Sequence, residues 1–206
     1  MIPDRVLITR CIEGEQEAYG QLVERYQKKV YNIAYRMLGD GEDARDLTQE
    51  VFIKIYYALS DFRGDSTFST WLYRITTNLC YDNLRKKRNQ IAFSLDEPVQ
   101  TEKGELGRQI PTAEEGPEGL VEQKEFQQMV QQLINTLSAE QRSVLVMREF
   151  QDLSYEEIAL ALQCSLGTVK SRLSRARNAL KKKLLATGEP FGSRLRLNME
   201  KGGSRG

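Results

Sequence analysis

Seven cations and no carboxylate lie between Gln163 and Lys183: Lys170, Arg172, Arg175, Arg177, Lys181, Lys182 and Lys183. Arginine can read a guanine edge in two-point fashion, while Lys and Ser suit phosphates or bases. Among these cations Val169, Leu173, Ala176, Leu180 and Leu184 recur at steps of three and four, which predicts a helix with one buried stripe. Lys170, Ser171, Ser174, Arg175 and Asn178 then fall on the outer face. Just upstream, Ser154 and Glu157 form a capping box for a shorter helix whose inner face is Ile158, Ala159 and Leu162. Gln163-Cys164-Ser165 is the turn between the two, and Ser165 can cap the second helix. The pattern is a helix-turn-helix with an acid-free second helix, an arrangement suited to the DNA major groove. The whole-chain charge of +1 conceals it.

A second group is spaced for an unpaired strand. Arg74, Asn78, Tyr81 and Arg85 share one helix face, and that helix runs on into Lys86, Lys87 and Arg88. Before it lies a glycine-containing loop flanked by aromatics, Phe62-Arg63-Gly64-Asp65-Ser66-Thr67-Phe68, with Trp71 and Tyr73 nearby. Cations hold phosphates, rings stack on bases, and an amide reads a base edge. For Phe68 and Trp71 taken alone, burial in the core is the favoured reading.

A third group is acidic. Asp43, Asp46 and Glu50 lie on one side of a predicted helix, with Gln49 and Lys54 close by. Asp40-Gly41-Glu42-Asp43 lacks the length and pattern of a calcium loop; a docking surface for a partner protein is the favoured reading of this face, with an ordinary solvated face as the alternative. Nothing points to bond-making chemistry. The chain has no His, the commonest general base and metal ligand. It shows no phosphate loop after a strand and no nucleophile elbow. Cys11, Cys80 and Cys164 are odd in number and far apart, which argues against a zinc site or a disulfide framework. No catalytic residue, metal or cofactor is expected.

The elements that must carry these groups are helical. The 206 residues are 40% hydrophobic and 29% charged, a balance typical of a soluble, helix-rich protein. No apolar run reaches membrane-span length, and MIPDRVLITR lacks the apolar core of a signal peptide, so a cytoplasmic location is expected. To about Asn89 three apolar stripes recur: Ala18 to Leu38, closed by Gly39; Ala44 to Leu59; and Phe68 to Leu79. Residues 90–119 hold Pro98, Pro111, Pro117 and four glycines, and from Asp96 to Glu125 nine acids face three cations. That composition predicts a flexible acidic linker. Residues 120–185 resume helical periodicity, with Ser138 and Gln141 capping one helix ahead of the helix-turn-helix. The tail, 186–206, has five glycines and no useful stripe, and reads as disordered. The expected fold is all-α: two small helical domains joined by a flexible linker.

In order, Asp46-Leu47-Thr48-Gln49-Glu50-Val51-Phe52, Phe62-Arg63-Gly64-Asp65, Phe68-Ser69-Thr70-Trp71-Leu72-Tyr73-Arg74-Ile75, Leu153-Ser154-Tyr155-Glu156-Glu157-Ile158-Ala159 and Gly167-Thr168-Val169-Lys170-Ser171-Arg172 closely resemble bacterial extracytoplasmic-function sigma factors. The resemblance spans about Val6–Leu185. Ser138 stands where the family often has Pro, and Gln163 where many such turns have Gly.

The resemblance implies sigma region two over 1–89 and sigma region four over 120–185, in a non-enzymatic factor that gives RNA polymerase core its promoter specificity. Asp43, Asp46, Leu47, Gln49, Glu50, Phe52 and Ile53 would dock on the clamp helices of the largest subunit, and region four on the flap of the second. Phe62, Arg63, Gly64, Ser66, Phe68, Ser69, Trp71, Arg74, Asn78, Tyr81, Arg85, Lys86, Lys87 and Arg88 would bind the minus-ten element and capture a flipped base. Ser154, Thr168, Lys170, Ser171, Arg172, Ser174, Arg175 and Asn178 would bind the minus-thirty-five element. The acidic linker would thread toward the RNA exit channel. The resemblance also implies a free monomer, no membrane insertion, and an anti-sigma factor, often membrane-anchored, that covers core-binding surfaces. Two other readings fit parts of the chain. A helical regulator acting on duplex DNA without polymerase explains only the C-terminal motif. A recombinase with an appended helix-turn-helix needs an α/β domain that no strand-like segment supports.

Overall fold

The computed structural model describes the backbone of residues 2–94 and 117–186, and the side chains of 2–90 and 125–185. The described residues form α-helices and one short 3-10 turn, with no strand. The helices are α1 (Asp4–Ile12), α2 (Gln16–Leu38), α3 (Gly41–Ala58), α4 (Phe68–Ser94), α5 (Pro117–Asn135), α6 (Ala139–Gln151), α7 (Tyr155–Leu162) and α8 (Leu166–Ala186); the 3-10 turn is Leu59–Asp61. Most of the predicted acidic linker and the tail beyond residue 186 lie outside the described residues. α4 runs to Ser94 and α5 starts at Pro117, so each helix enters the span predicted as linker.

Local chemistry accounts for the boundaries. α2 ends at Gly39, whose φ of 80° is left-handed and whose N–H bonds Tyr35 O. Glycine takes that conformation without a Cβ penalty. The next residue, Asp40, starts α3 by accepting from the Glu42 and Asp43 N–H groups at 2.8 and 2.9 Å. Thr67 starts α4, accepting from Thr70 N–H at 3.2 Å. In the C-terminal half Ser138 caps α6, and Ser154 and Glu157 close the capping box of α7 in both directions.

The first four helices enclose one core, built on Leu22, Val30, Ile33 and Met37 of α2, Val51 and Ile55 of α3, and Leu72 of α4. Sequence periodicity began the first stripe at Ala18; α1 is a separate helix that adds Leu7 and Ile8 to this core. Asp4 anchors it, accepting hydrogen bonds from Arg25 and from the Tyr26 hydroxyl. The last helices pack around Ile134, Val144, Met147, Ile158, Val169, Leu173 and Ala176. These two halves touch directly, α2 against α5 and α6, and α4 against α7.

Candidate nucleic-acid interface and docking face

The helix-turn-helix is held from below by its own stripe. Val169, Leu173 and Ala176 are fully packed, with Leu180 half-buried. Ala161 packs more deeply than Ala159 or Leu162 on α7, because α7 is enclosed by α4, α6 and α8 together. Gln163 closes α7 in the left-handed region at φ 50°. Ser165 then accepts from Thr168 N–H at 3.1 Å and pairs with the Thr168 hydroxyl at 2.9 Å. Above this frame Lys170, Ser171, Ser174, Arg175 and Asn178 are exposed, and Arg172 is half-buried. Arg177 points the other way and grips Glu149 of α6. Thr168 and Ser154 are committed to caps, so their side chains position the helices. Five exposed polar groups on one acid-free face can bond phosphates and base edges of a duplex.

The loop before α4 holds a ring cluster. Phe62, Phe68 and Trp71 lie 5.2–5.9 Å apart between centroids. Phe68 and Trp71 are buried, Phe62 is half-buried, and Tyr26 closes the cluster from α2. The buried rings therefore brace the loop, in line with the core reading for those two residues. The loop shows Arg63, Gly64 at φ 76°, Asp65 and Thr67 to solvent. Ser66 and Ser69 are half-buried, and Ser69 shares a hydrogen bond with Thr67 at 3.0 Å.

Along α4, Asn78, Arg85, Lys86, Lys87 and Arg88 are exposed and Arg74 is half-buried. Lys87 pairs with Asp43 of α3, and Arg85 with Asp82 at 2.9 Å. Tyr81 departs from its predicted company. Its hydroxyl bonds Ser143 of α6 at 2.6 Å, and burial pushes its pKa up. Behind this face the Cys80 thiol is fully buried, its pKa raised to about 12 by desolvation.

On α3 the acidic face sorts by register. Asp46, Gln49, Glu50 and Ile53 are exposed, whereas Leu47 and Phe52 are core residues with 2% and 8% exposure. Those two hold the helix, so the candidate docking face falls to their exposed neighbours. The face is longer than sequence reasoning placed it. Tyr57 is 78% exposed and Tyr56 52%, and with Ile53 they continue the stripe beyond its carboxylates. Tyr56 meets Tyr19 edge-on at 5.1 Å, and the Tyr19 hydroxyl donates to Phe52 O. Spacing alone contained this signal: 46, 50, 53 and 57 advance by four, three and four. No metal-holding group of His, Cys, Asp and Glu occurs among the described residues.

One chain thus carries a basic helix behind an aromatic-braced loop, a helix-turn-helix with an acid-free outer face, and an acidic helix face continued by exposed apolar side chains. Residues 22–90 match sigma-70 region 2 and residues 127–180 match sigma-70 region 4. The RNA polymerase sigma-H factor of Pseudomonas aeruginosa is 40% identical over 183 residues, 88% of this chain and 93% of that one. The ECF RNA polymerase sigma-E factor of Escherichia coli K12 is also 40% identical, over 89% of this chain and 95% of that one. Among solved structures, CnrH in complex with the cytosolic domain of CnrY aligns at a TM-score of 0.62 and 27% identity, covering 89% of this chain and 97% of that one. The sigma factor RpoE in complex with the anti-sigma factor NepR from Bartonella quintana gives 0.62 and 27%, covering 80% and 94%. The chain belongs to the extracytoplasmic-function sigma factors of the sigma-70 family. It is an RNA polymerase-associated, promoter-specific sigma factor, a class of non-catalytic initiation factors.

Proposed function

We propose that the α3 stripe Asp46, Gln49, Glu50, Ile53 and Tyr57 docks this chain on the clamp helices of the largest polymerase subunit. The observation that carries this is the exposure of large apolar side chains in helical register with the carboxylates. Carboxylates steer and orient an encounter, and apolar anchors hold it. Asn78 and the loop around Arg63 and Gly64 receive a flipped base of the minus-ten non-template strand, braced by the ring cluster beneath. Extruding a base costs a few kcal/mol, which a shaped pocket offsets. Arg74, Arg85, Lys86, Lys87 and Arg88 hold the adjoining backbone. Lys170, Ser171, Ser174, Arg175 and Asn178 read the minus-thirty-five duplex, and the acidic linker passes toward the RNA exit channel.

Regulation uses the same surfaces. An anti-sigma factor that covers the α3 stripe withdraws the chain from polymerase, and a membrane-anchored one would hold a cytoplasmic chain in reserve. No helix among the described residues is long and apolar enough to cross a membrane.

Reconstitution with bacterial polymerase core and permanganate footprinting on a family-type promoter tests the assignment. Opening that requires both components is expected. Asn78→Ala should reduce opening while leaving core binding intact; equal opening by wild type and variant would remove the base-pocket role. Sequence-specific duplex binding without core, and no opening with it, would favour the regulator reading instead.

A further inference from the structure

α1 begins with a carboxylate that is turned into the fold. Asp4 accepts hydrogen bonds from the Arg25 guanidinium and from the Tyr26 hydroxyl, both on α2. The Asp4 and Arg25 side chains are 27% and 22% exposed, and Tyr26 is buried. Asp4 also lies close enough to Tyr73 of α4 to act on it electrostatically. It therefore stands where α1, α2 and α4 meet. Burial first, and then the bond to Asp4, raise the Tyr26 pKa, so the hydroxyl remains the donor of this pair.

What rests on Tyr26 is the loop. Its ring meets Phe68 edge-on at 5.4 Å, and Phe68 meets both Phe62 and Trp71 at 5.9 Å. Above these rings the loop tip, Arg63, Gly64 and Asp65, makes no hydrogen bond or ion pair among the described residues. The tip takes its position from the rings below and from the turn Leu59–Asp61, against which α1 also packs. A buried hydroxyl deprived of its acceptor is unfavourable, so Tyr26 would shift toward another partner or admit water. Close-packed rings pass such a shift to their neighbours. A binding constellation works only when held to about 0.5 Å.

We propose that Asp4 is a positioning residue for the minus-ten base pocket, acting through the Tyr26 hydroxyl on the rings that carry the loop. The proposal rests on the base-pocket reading above. A carboxylate in the first turn of α1 also suits the helix dipole. That role ends within α1 and leaves the pocket's selectivity untouched, which is what separates the two in experiment.

The test uses the full chain bound to polymerase core. The probes are single-stranded minus-ten non-template oligonucleotides, intact or abasic at each position in turn. Wild-type holoenzyme should bind the intact strand roughly tenfold or more tightly than the strand abasic at the flipped position. In Asp4→Ala and in Tyr26→Phe that ratio should fall about threefold or more, with affinity for core and for the abasic strand within about twofold of wild type. Tyr26→Phe keeps the ring in the core, so it carries the test alone if Asp4→Ala loses native helicity. The double variant should lose no more selectivity than the weaker single one, because both substitutions break one bond. An unchanged ratio in variants of native helicity overturns the proposal. So does an equal weakening of intact and abasic strands, which would make Asp4 a support for the fold alone. Additive losses of selectivity would assign the two residues to separate tasks and overturn it as well. If wild-type holoenzyme shows no abasic penalty at any position, the base-pocket reading itself falls; a wild-type penalty that both variants retain removes the role of Asp4 alone.

Discussion

Replacing Tyr57 by Ala separates docking from folding. The ring is 78% exposed and sits near the end of α3, where it supports nothing in the core. A tyrosine contributes ~200 Å² when fully buried, so roughly 150 Å² is free to be covered by a partner. At ~25 cal/mol per Å² the ceiling is ~4 kcal/mol. Rotamer ordering and desolvation of the hydroxyl bring this to ~2 kcal/mol, the scale of an interface anchor. The dissociation constant for polymerase core should therefore rise about thirtyfold. Folding stability should stay within about 0.5 kcal/mol, as for other exposed substitutions. Fluorescence titration of labelled core gives the first quantity and thermal melting the second. Ile53→Ala, at 61% exposure, should behave alike with a smaller loss. Affinity within threefold of wild type, or a loss matched by a fall in melting temperature, would refute the docking stripe.

Ser154→Ala removes one half of the α7 capping box. The expected cost is ~1–2 kcal/mol, at roughly 2–4 °C of melting temperature per kcal/mol for a chain of this size; an unshifted melt would show the cap to be dispensable. Arg175→Ala should weaken minus-thirty-five recognition by ~1–3 kcal/mol and relax base preference, measured by binding to a panel of substituted duplexes. Loss that is uniform across the panel would make Arg175 a phosphate contact. Alkali should destabilise the fold. Burial, with Glu157 and Asp4 nearby, raises the Tyr73 pKa to about 12, and burial raises Tyr19 and Tyr26 as well. The folded state keeps these protons while an unfolded tyrosine loses its own near ~10. The stabilisation is thus complete below about pH 10 and lost as pH rises toward 12. Urea midpoints at pH 8, 9.5 and 11 should fall, and Tyr73→Phe should flatten the slope; a flat wild-type profile would contradict the burial.

Sequence patterns carried the features that are local. The capping box of α7, the caps of α6 and α8, and the buried stripe of α8 all depend on residues three or four apart, and all are present in the structure. The zone to about Asn89 reads as helical throughout, but α1 as a separate helix gave no stripe, because nine residues with two buried side chains make too short a periodic signal. The end of α4 escaped because Arg85–Gln90 has no apolar residue to reveal a stripe. Around the loop, chemistry was ambiguous in kind: Phe and Trp have the same identity whether they stack on a base or fill a core. Periodicity reads one helix at a time and assigns Arg142 of α6 no role. Its guanidinium donates to Asn135 O and Leu137 O, seven and five residues away, but also to Met37 O, 105 residues away, and that contact is beyond the reach of any local pattern.

The unbroken run of α4 has a consequence for how this protein can change. At ~1.5 Å per residue, the stretch from the loop cap at Thr67 to Arg88 is a stiff rod of ~30 Å. In the proposed strand-binding role the loop lies at one end, Asn78 at mid-length and the basic cluster at the other end, so the rod would act as a ruler for the strand. Deleting a single residue between Asn78 and Arg85 would swing the cluster by ~100° and aim it away from the strand. Adding seven would restore its direction and move it ~10 Å further out. In that role, a change in the length of this helix preserves the register of the cluster only in near-whole pairs of turns.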